Sequence, residues 1–149
     1  MNEPITDPTQ ATLRWLTDVL RESGSLAQGE VEALTCSKQE KTFTSTIAFL
    51  EPRYSAGAPP TAPDRLFLKM SGDATAPGSF DSNHFRNEVL YYRTVAAAMD
   101  DPPSIRCHDV AYSEDFSRCH LLLDDITLTH SQPEGPLPPT DEQCEQAIV

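Results

Sequence analysis

A lysine inside an apolar strand and a glutamate 19 residues later are the side chains best spaced for chemistry in this sequence. Lys69 stands in Leu66-Phe67-Leu68-Lys69-Met70. Side chains alternate across a strand, so Lys69 shares a face with Phe67 and not with Leu66, Leu68 and Met70. Glu88 follows Phe85 by three residues and precedes Tyr92 by four, beside the apolar stripe of a predicted helix. A carboxylate there is costly unless it is paired. Paired, the two would hold a cation at a fixed point, ready to neutralise phosphate oxygens. Spacing alone equally allows Lys69 to snorkel from an edge strand and Glu88 to sit on the wet flank of its helix.

Other constellations are weaker. His120-Leu121-Leu122-Leu123-Asp124-Asp125-Ile126 is an apolar strand running into two carboxylates. Neighbours in a strand face opposite ways, so Asp124 and Asp125 do not read as joint ligands of one metal; they read as the strand's exit to solvent. The same alternation argues against Cys107-His108 and Cys119-His120 as zinc ligands. His108-Asp109 has the composition of a catalytic dyad but no accompanying nucleophile, and reads as a half-buried strand pair.

The elements that must position these residues follow from periodicity. Residues 1–8 are polar and Pro-containing, and read as loose. A helix is predicted over residues 9–23, with Leu13, Leu16 and Leu20 on one stripe and Gly24 as its stop. Strands are expected at 31–36 and 43–50, joined by a polar turn at 37–41, and again at 66–70. A Pro-rich surface loop, 55–64, precedes that third strand. After a small-residue loop at 71–79, Asp81 or Ser82 is a good N-cap for a helix to Met99, with Phe85, Val89, Tyr92, Ala96 and Met99 as its stripe. Strands at 105–112 and 120–124 flank a polar turn at 113–117. A Pro-rich connector occupies 127–139, and Thr140-Asp141-Glu142-Gln143 forms a capping box. Five strands with short links and a helix after the third predict an α+β fold with a mostly antiparallel sheet.

Composition limits the function. The 149 residues carry 11 Lys+Arg against 23 Asp+Glu, a net charge of −12. Phosphate contacts in nucleic acids need clustered cations, so a nucleic-acid binder is not expected. No apolar run approaches the roughly 18–20 residues of a membrane span, and the first residues have no basic or apolar stretch of a secretory signal. Four scattered cysteines do not make a disulfide framework. A soluble cytoplasmic protein is the expectation.

The order Leu66-Phe67-Leu68-Lys69-Met70, then Asn87-Glu88-Val89-Leu90-Tyr91-Tyr92, then Leu121-Leu122-Leu123-Asp124-Asp125-Ile126 resembles the N-terminal lobe of aminoglycoside-phosphotransferase-like kinases, most of all the branch with choline-kinase-like and ecdysteroid-kinase-like enzymes. The likeness runs from about residue 13 to the end. It implies a protein-kinase-like N-lobe over 9–126, a connector at 127–139 and the first helix of a C-terminal lobe from Thr140. It implies ATP as cofactor, with Lys69 on the nucleotide phosphates, Glu88 as its partner, and the main chain after Leu123, at Asp124, Asp125 and Ile126, as the hinge that receives adenine. Amides around the first turn, with hydroxyls at Thr42, Thr44 and Ser45, would assist the phosphates. Two departures stand out: that turn has no glycine, and no His-Gly-Asp catalytic loop or later metal-binding Asp occurs. The catalytic base and the Mg²⁺ ligands are therefore expected in a missing C-lobe.

A helix capped at Thr140 has run for only nine residues when the sequence reaches Val149, too few to be stable without packing, which predicts that the chain is cut off. The expected function is the nucleotide-side half of an ATP-dependent phosphotransferase acting on a small hydroxylated substrate, inactive as this fragment. The alternative is a non-catalytic binding or scaffold domain that keeps the lobe fold. An exposed lobe interface would also favour self-association, partly offset by the acidic charge.

Overall fold

A computed structural model describes residues 3–42, 45–71, 83–130 and 140–142. Its first helix starts later than periodicity predicts, because two caps stand in the way. Asp7 caps a single 3₁₀ turn at Pro8–Gln10, its carboxylate accepting the Thr9 N–H while the Gln10 side chain accepts the Asp7 N–H. Thr12 then caps α1 (Leu13–Glu22) by accepting the Trp15 N–H. The helix stops where expected. Gly24 takes φ +71°, and the N–H groups of Ser25 and Leu26 both return to the Leu20 carbonyl, a closure that a left-handed glycine permits. The stretch expected to be loose is in part packed: Ile5 is buried, and its N–H donates to Nδ1 of His120 at 2.8 Å.

Five strands follow: β1 (Val31–Lys41), β2 (Ser45–Tyr54), β3 (Leu66–Ser71), β4 (Cys107–Tyr112) and β5 (Cys119–Asp124). They form one antiparallel sheet in the order β1-β2-β3-β5-β4. The α+β expectation with a five-stranded antiparallel sheet holds. One turn was misplaced: residues 37–41 are strand, paired with β2 as far as Lys41↔Thr46. Those residues are polar because β1 is an exposed edge, where solvent-facing side chains imitate turn composition. Phe43 and Thr44, assigned to the second strand, lie outside the described residues, as do the predicted N-caps Asp81 and Ser82, the 72–79 loop, 131–139 of the connector and 143–149 of the final helix.

Between β3 and β4 runs α2 (Asn83–Leu90), which widens into a π-helical turn at Tyr91–Val95 and ends as a 3₁₀ turn at Ala96–Ala98. The single regular helix predicted to Met99 is therefore broken in its second half. Phe85, Val89 and Ala96 are buried, but Met99, past the last turn, is 43% exposed. Likewise β4 begins at Cys107 and not at Ile105.

The sheet packs on both faces. Against its outer face lies α1, and Leu16, Val19, Leu20 and Leu26 join Ala48, Leu50, Leu66, Leu68, Met70 and Leu122 in an aliphatic core. Against its inner face lies α2, where Phe85 and Val89 meet Cys119, Leu121 and Leu123, with Phe67 and Tyr92 at the margin. Strand alternation assigns the faces, and Lys69 falls on the inner one with Phe67.

Candidate functional site

The inner face brings together the two residues singled out by spacing. Lys69 is paired across the sheet with Ile47 and Leu121, both apolar, so its ammonium has no partner within the sheet. α2 supplies one. The Nζ of Lys69 stands 2.5 Å from Oε2 of Glu88, and 5.3 Å from the centroid of the Phe85 ring one helical turn earlier. The pair is about a quarter to a third exposed, at 23% and 32%. It is thus partly desolvated yet open to a ligand, and an ammonium held so is a ready-made counter-charge for an anion. Phe49 and Phe67 meet edge to face at 5.3 Å on the same face, giving an apolar neighbour to the charge. Burial, reinforced by nearby Asp109, pushes the Cys107 thiol up to about 12, and burial pushes the Tyr92 phenol to about 12, so neither adds charge beside Glu88 at neutral pH.

The strand end after Leu123 is more engaged than an exit to solvent. Asp125 is almost fully enclosed, its side chain 1% exposed, and takes both Nε and Nη2 of Arg65 at 2.9 and 2.8 Å. Its other oxygen accepts the amide and hydroxyl of Thr127. Burial alone would raise this carboxyl; the hydrogen bonds from Thr127 and Arg65 outweigh it and hold the acid below its ordinary range. Asp124 points to the outer face and meets Nε2 of His108 at 2.7 Å. The two carboxylates do face opposite ways, as alternation requires, but each has a partner. The amides of Asp124 and Asp125 donate to the carbonyls of Arg106 and Arg65. The Ile126 N–H, by contrast, donates to no described residue, while its carbonyl accepts from Thr129 and His130.

The histidines also depart from expectation. A β-bulge between Cys107 and Asp109 inserts one extra residue, so the neighbours His108 and Asp109 both reach the outer face. Their partners are crossed. His108 pairs with Asp124, whereas Asp109 takes Nε2 of His120 at 3.0 Å. The Ile5 amide occupies Nδ1 of His120, which places that ring's hydrogen on Nε2, toward Asp109.

A serine does accompany His108, contrary to the sequence reading: Ser25 Oγ lies 2.9 Å from its Nδ1. Ser25, His108 and Asp124 have the order of an acyl-transfer triad and line a groove of about 340 Å³. They lack its chemistry, because Ser25 is buried at 6% exposure and the amides of residues 25 and 26 are both spent on the α1 terminus, leaving neither to stabilise an oxyanion.

Of the residues expected on phosphates at the first turn, Thr44 lies outside the described residues. Ser45 does not fit: its N–H donates to Thr42 Oγ1, its hydroxyl meets that same Oγ1 at 2.9 Å, and its carbonyl accepts the Thr42 N–H. All its polar groups are consumed within the turn. Ser25 and Arg65 were missed, and Asp109, read as the strand neighbour of His108, pairs with His120 instead; of the two missed, Arg65 left a signal, since it precedes Leu66, which pairs with Asp124. Among the described residues no group of three or more His, Cys, Asp or Glu side chains converges as a metal site. No protein-family model, curated protein or solved structure matches the chain.

Proposed function

We propose that this chain is the nucleotide-binding half of an ATP-dependent phosphotransferase that acts on a hydroxyl of a small molecule, with a protein-kinase-like N-lobe as its fold. The observation that carries the reading is the Lys69–Glu88 pair, 2.5 Å long and partly open on the inner face of the sheet. Phosphoryl transfer asks a protein mainly to position phosphates and neutralise their charge. An ammonium fixed by a helix carboxylate does the second. For ATP the residues present fit in three places: Lys69 toward phosphate oxygens, Leu123 and Phe67 as apolar contacts, and the main chain at Asp124 to Ile126 toward the base, where the Ile126 N–H has no partner among the described residues. Bound ATP would supply the transferable phosphoryl group and bound Mg²⁺ would neutralise phosphate charge, and the reading assigns the Mg²⁺ ligands, the general base and the acceptor pocket to no residue described here. The chain therefore contributes the clamp and not the transfer.

Calorimetric titration with Mg-ATP tests this. Lys69→Ala should weaken binding at least about tenfold, the worth of one charge-assisted contact, and the 149 residues alone should transfer no phosphoryl group above background. Equal affinity in wild type and Lys69→Ala overturns the clamp, and a measured turnover overturns its limitation to binding.

One observation favours a second reading, a non-catalytic binding or scaffold domain. The β1–β2 turn has no glycine, and its two described amides, those of Thr42 and Ser45, are both spent on each other's oxygens, so neither is offered to phosphates. Binding of a protein partner unaffected by nucleotide and by Lys69→Ala would identify that class.

A further inference from the structure

We infer that His108 is a positioning residue for nucleobase reading, acting through a Ser25–His108–Asp124 relay that ties the end of α1 to the main chain at residues 124–126; the inference rests on the nucleotide reading of the inner cleft. The relay has a definite direction. A carboxylate only accepts, so His108 carries its hydrogen on Nε2 toward Asp124 Oδ1 at 2.7 Å, and its Nδ1 accepts the Ser25 hydroxyl at 2.9 Å. Ser25 is itself fixed, its amide donating to the Leu20 carbonyl and its oxygen accepting from Ser23. The imidazole is enclosed, with 1% of its side chain exposed, so water cannot readily substitute for either contact.

Its effect falls on a short segment gripped from two sides. His108 holds Asp124 from the outer face, while Arg65, itself 3.5 Å from Glu51, holds Asp125 from the other. The Asp124 and Asp125 amides are tied to neighbouring carbonyls. Among the described residues this leaves the Ile126 N–H as the one donor of the 124–126 main chain without a partner, and the proposed reading sets it toward the base. A single donor can distinguish one purine edge from another only if it does not swing. The Lys69–Glu88 clamp lies on the opposite face from His108, so it should be indifferent to the relay. Base discrimination and phosphate affinity should therefore separate.

The test measures binding of Mg-ATP, Mg-GTP and inorganic tripolyphosphate to the full chain, together with hydrogen exchange at amides 124–130. In His108→Phe, and in Ser25→Ala should the first variant fold poorly, exchange at those amides should rise by about tenfold and the ATP-to-GTP preference should fall by about as much, the worth of one hydrogen bond to a charged group. Tripolyphosphate affinity should stay at the wild-type level, and His108→Gln, which still donates toward Asp124, should restore part of the preference. Unchanged exchange in a folded variant overturns the inference. So does an unchanged ATP-to-GTP ratio, which would leave the relay purely structural. If wild type binds none of the three ligands, it is the reading of the cleft that falls.

Discussion

The two faces of the sheet are built from the same five strands and solve opposite problems. On the outer face α1 lays leucines and a valine onto Ala48, Leu50, Leu66, Leu68, Met70 and Leu122, and the contact is dry and fully buried. Its two histidines are each engaged at both ring nitrogens, His120 between Ile5 and Asp109 and His108 between Ser25 and Asp124, whereas the buried Nε1 of Trp15 has no partner among the described residues. On the inner face, among the described side chains of α2, Phe85 and Val89 are buried against β5, and a charge pair is left about a quarter to a third exposed. The difference teaches where stability and function reside. A histidine engaged at both nitrogens has nothing left to offer a ligand. A face with a partly desolvated ammonium does.

The comparison can be broken by substitution, and the largest effect belongs to the outer face. Leu20→Ala, at a fully buried position in that core, should cost about 3 kcal/mol in urea unfolding; a loss below 1 kcal/mol would mean α1 is a dispensable cover.

Next comes the strand end. Arg65→Met leaves the Asp125 carboxylate enclosed without its cation and should cost about 2 kcal/mol at neutral pH. Its pH dependence has a definite sign. The acidity of Asp125 is strengthened in the fold, so the stability it contributes is present above the usual carboxylate range and is lost as pH falls through and below about 4. Wild type and Arg65→Met should therefore converge in strongly acidic solution; a gap that stays constant from pH 7 to pH 3 refutes the assignment.

The smallest effect on folding should come from the residue with the largest proposed effect on binding. Lys69→Met breaks a pair that is still partly exposed and should change stability by less than about 1 kcal/mol. A loss as large as that of Leu20→Ala would make the Lys69–Glu88 contact a structural strut and sharpen the case for the scaffold reading.

Much of the frame was legible because its signals are local. Alternation in Leu66-Phe67-Leu68-Lys69-Met70 placed Lys69 on its face, helical spacing put Glu88 beside Phe85 and Tyr92, and Gly24 marked a helix end through its own conformational freedom. What escaped depended on distant partners. Ser25 and His108 lie 83 residues apart, and no local pattern announces their meeting. The bulge at Cys107/Asp109 is set by how β4 pairs with β5, and that one residue undid the inference that adjacent side chains must diverge. Residues 37–41 were misread because an exposed edge strand and a turn draw on the same polar residues. Thr44 lies where no placement is described, and Ser45 failed because its neighbour Thr42 competes for its amide.

The widened turn at Tyr91–Val95 changes the gearing of everything after it. Each residue there advances the spiral by less than in an α-helix, so the surface beyond it is re-phased: Ala96 is still buried, whereas Met99 is 43% exposed. Between Tyr92, Ala96 and Met99 on one bank and Ile105 and Cys107 on the other, a groove of about 880 Å³ opens along the edge strand. Because Ala96 and Met99 are carried beyond the wide turn, trimming one residue from the turn should rotate them relative to Ile105 and Cys107 and change the width of the hollow.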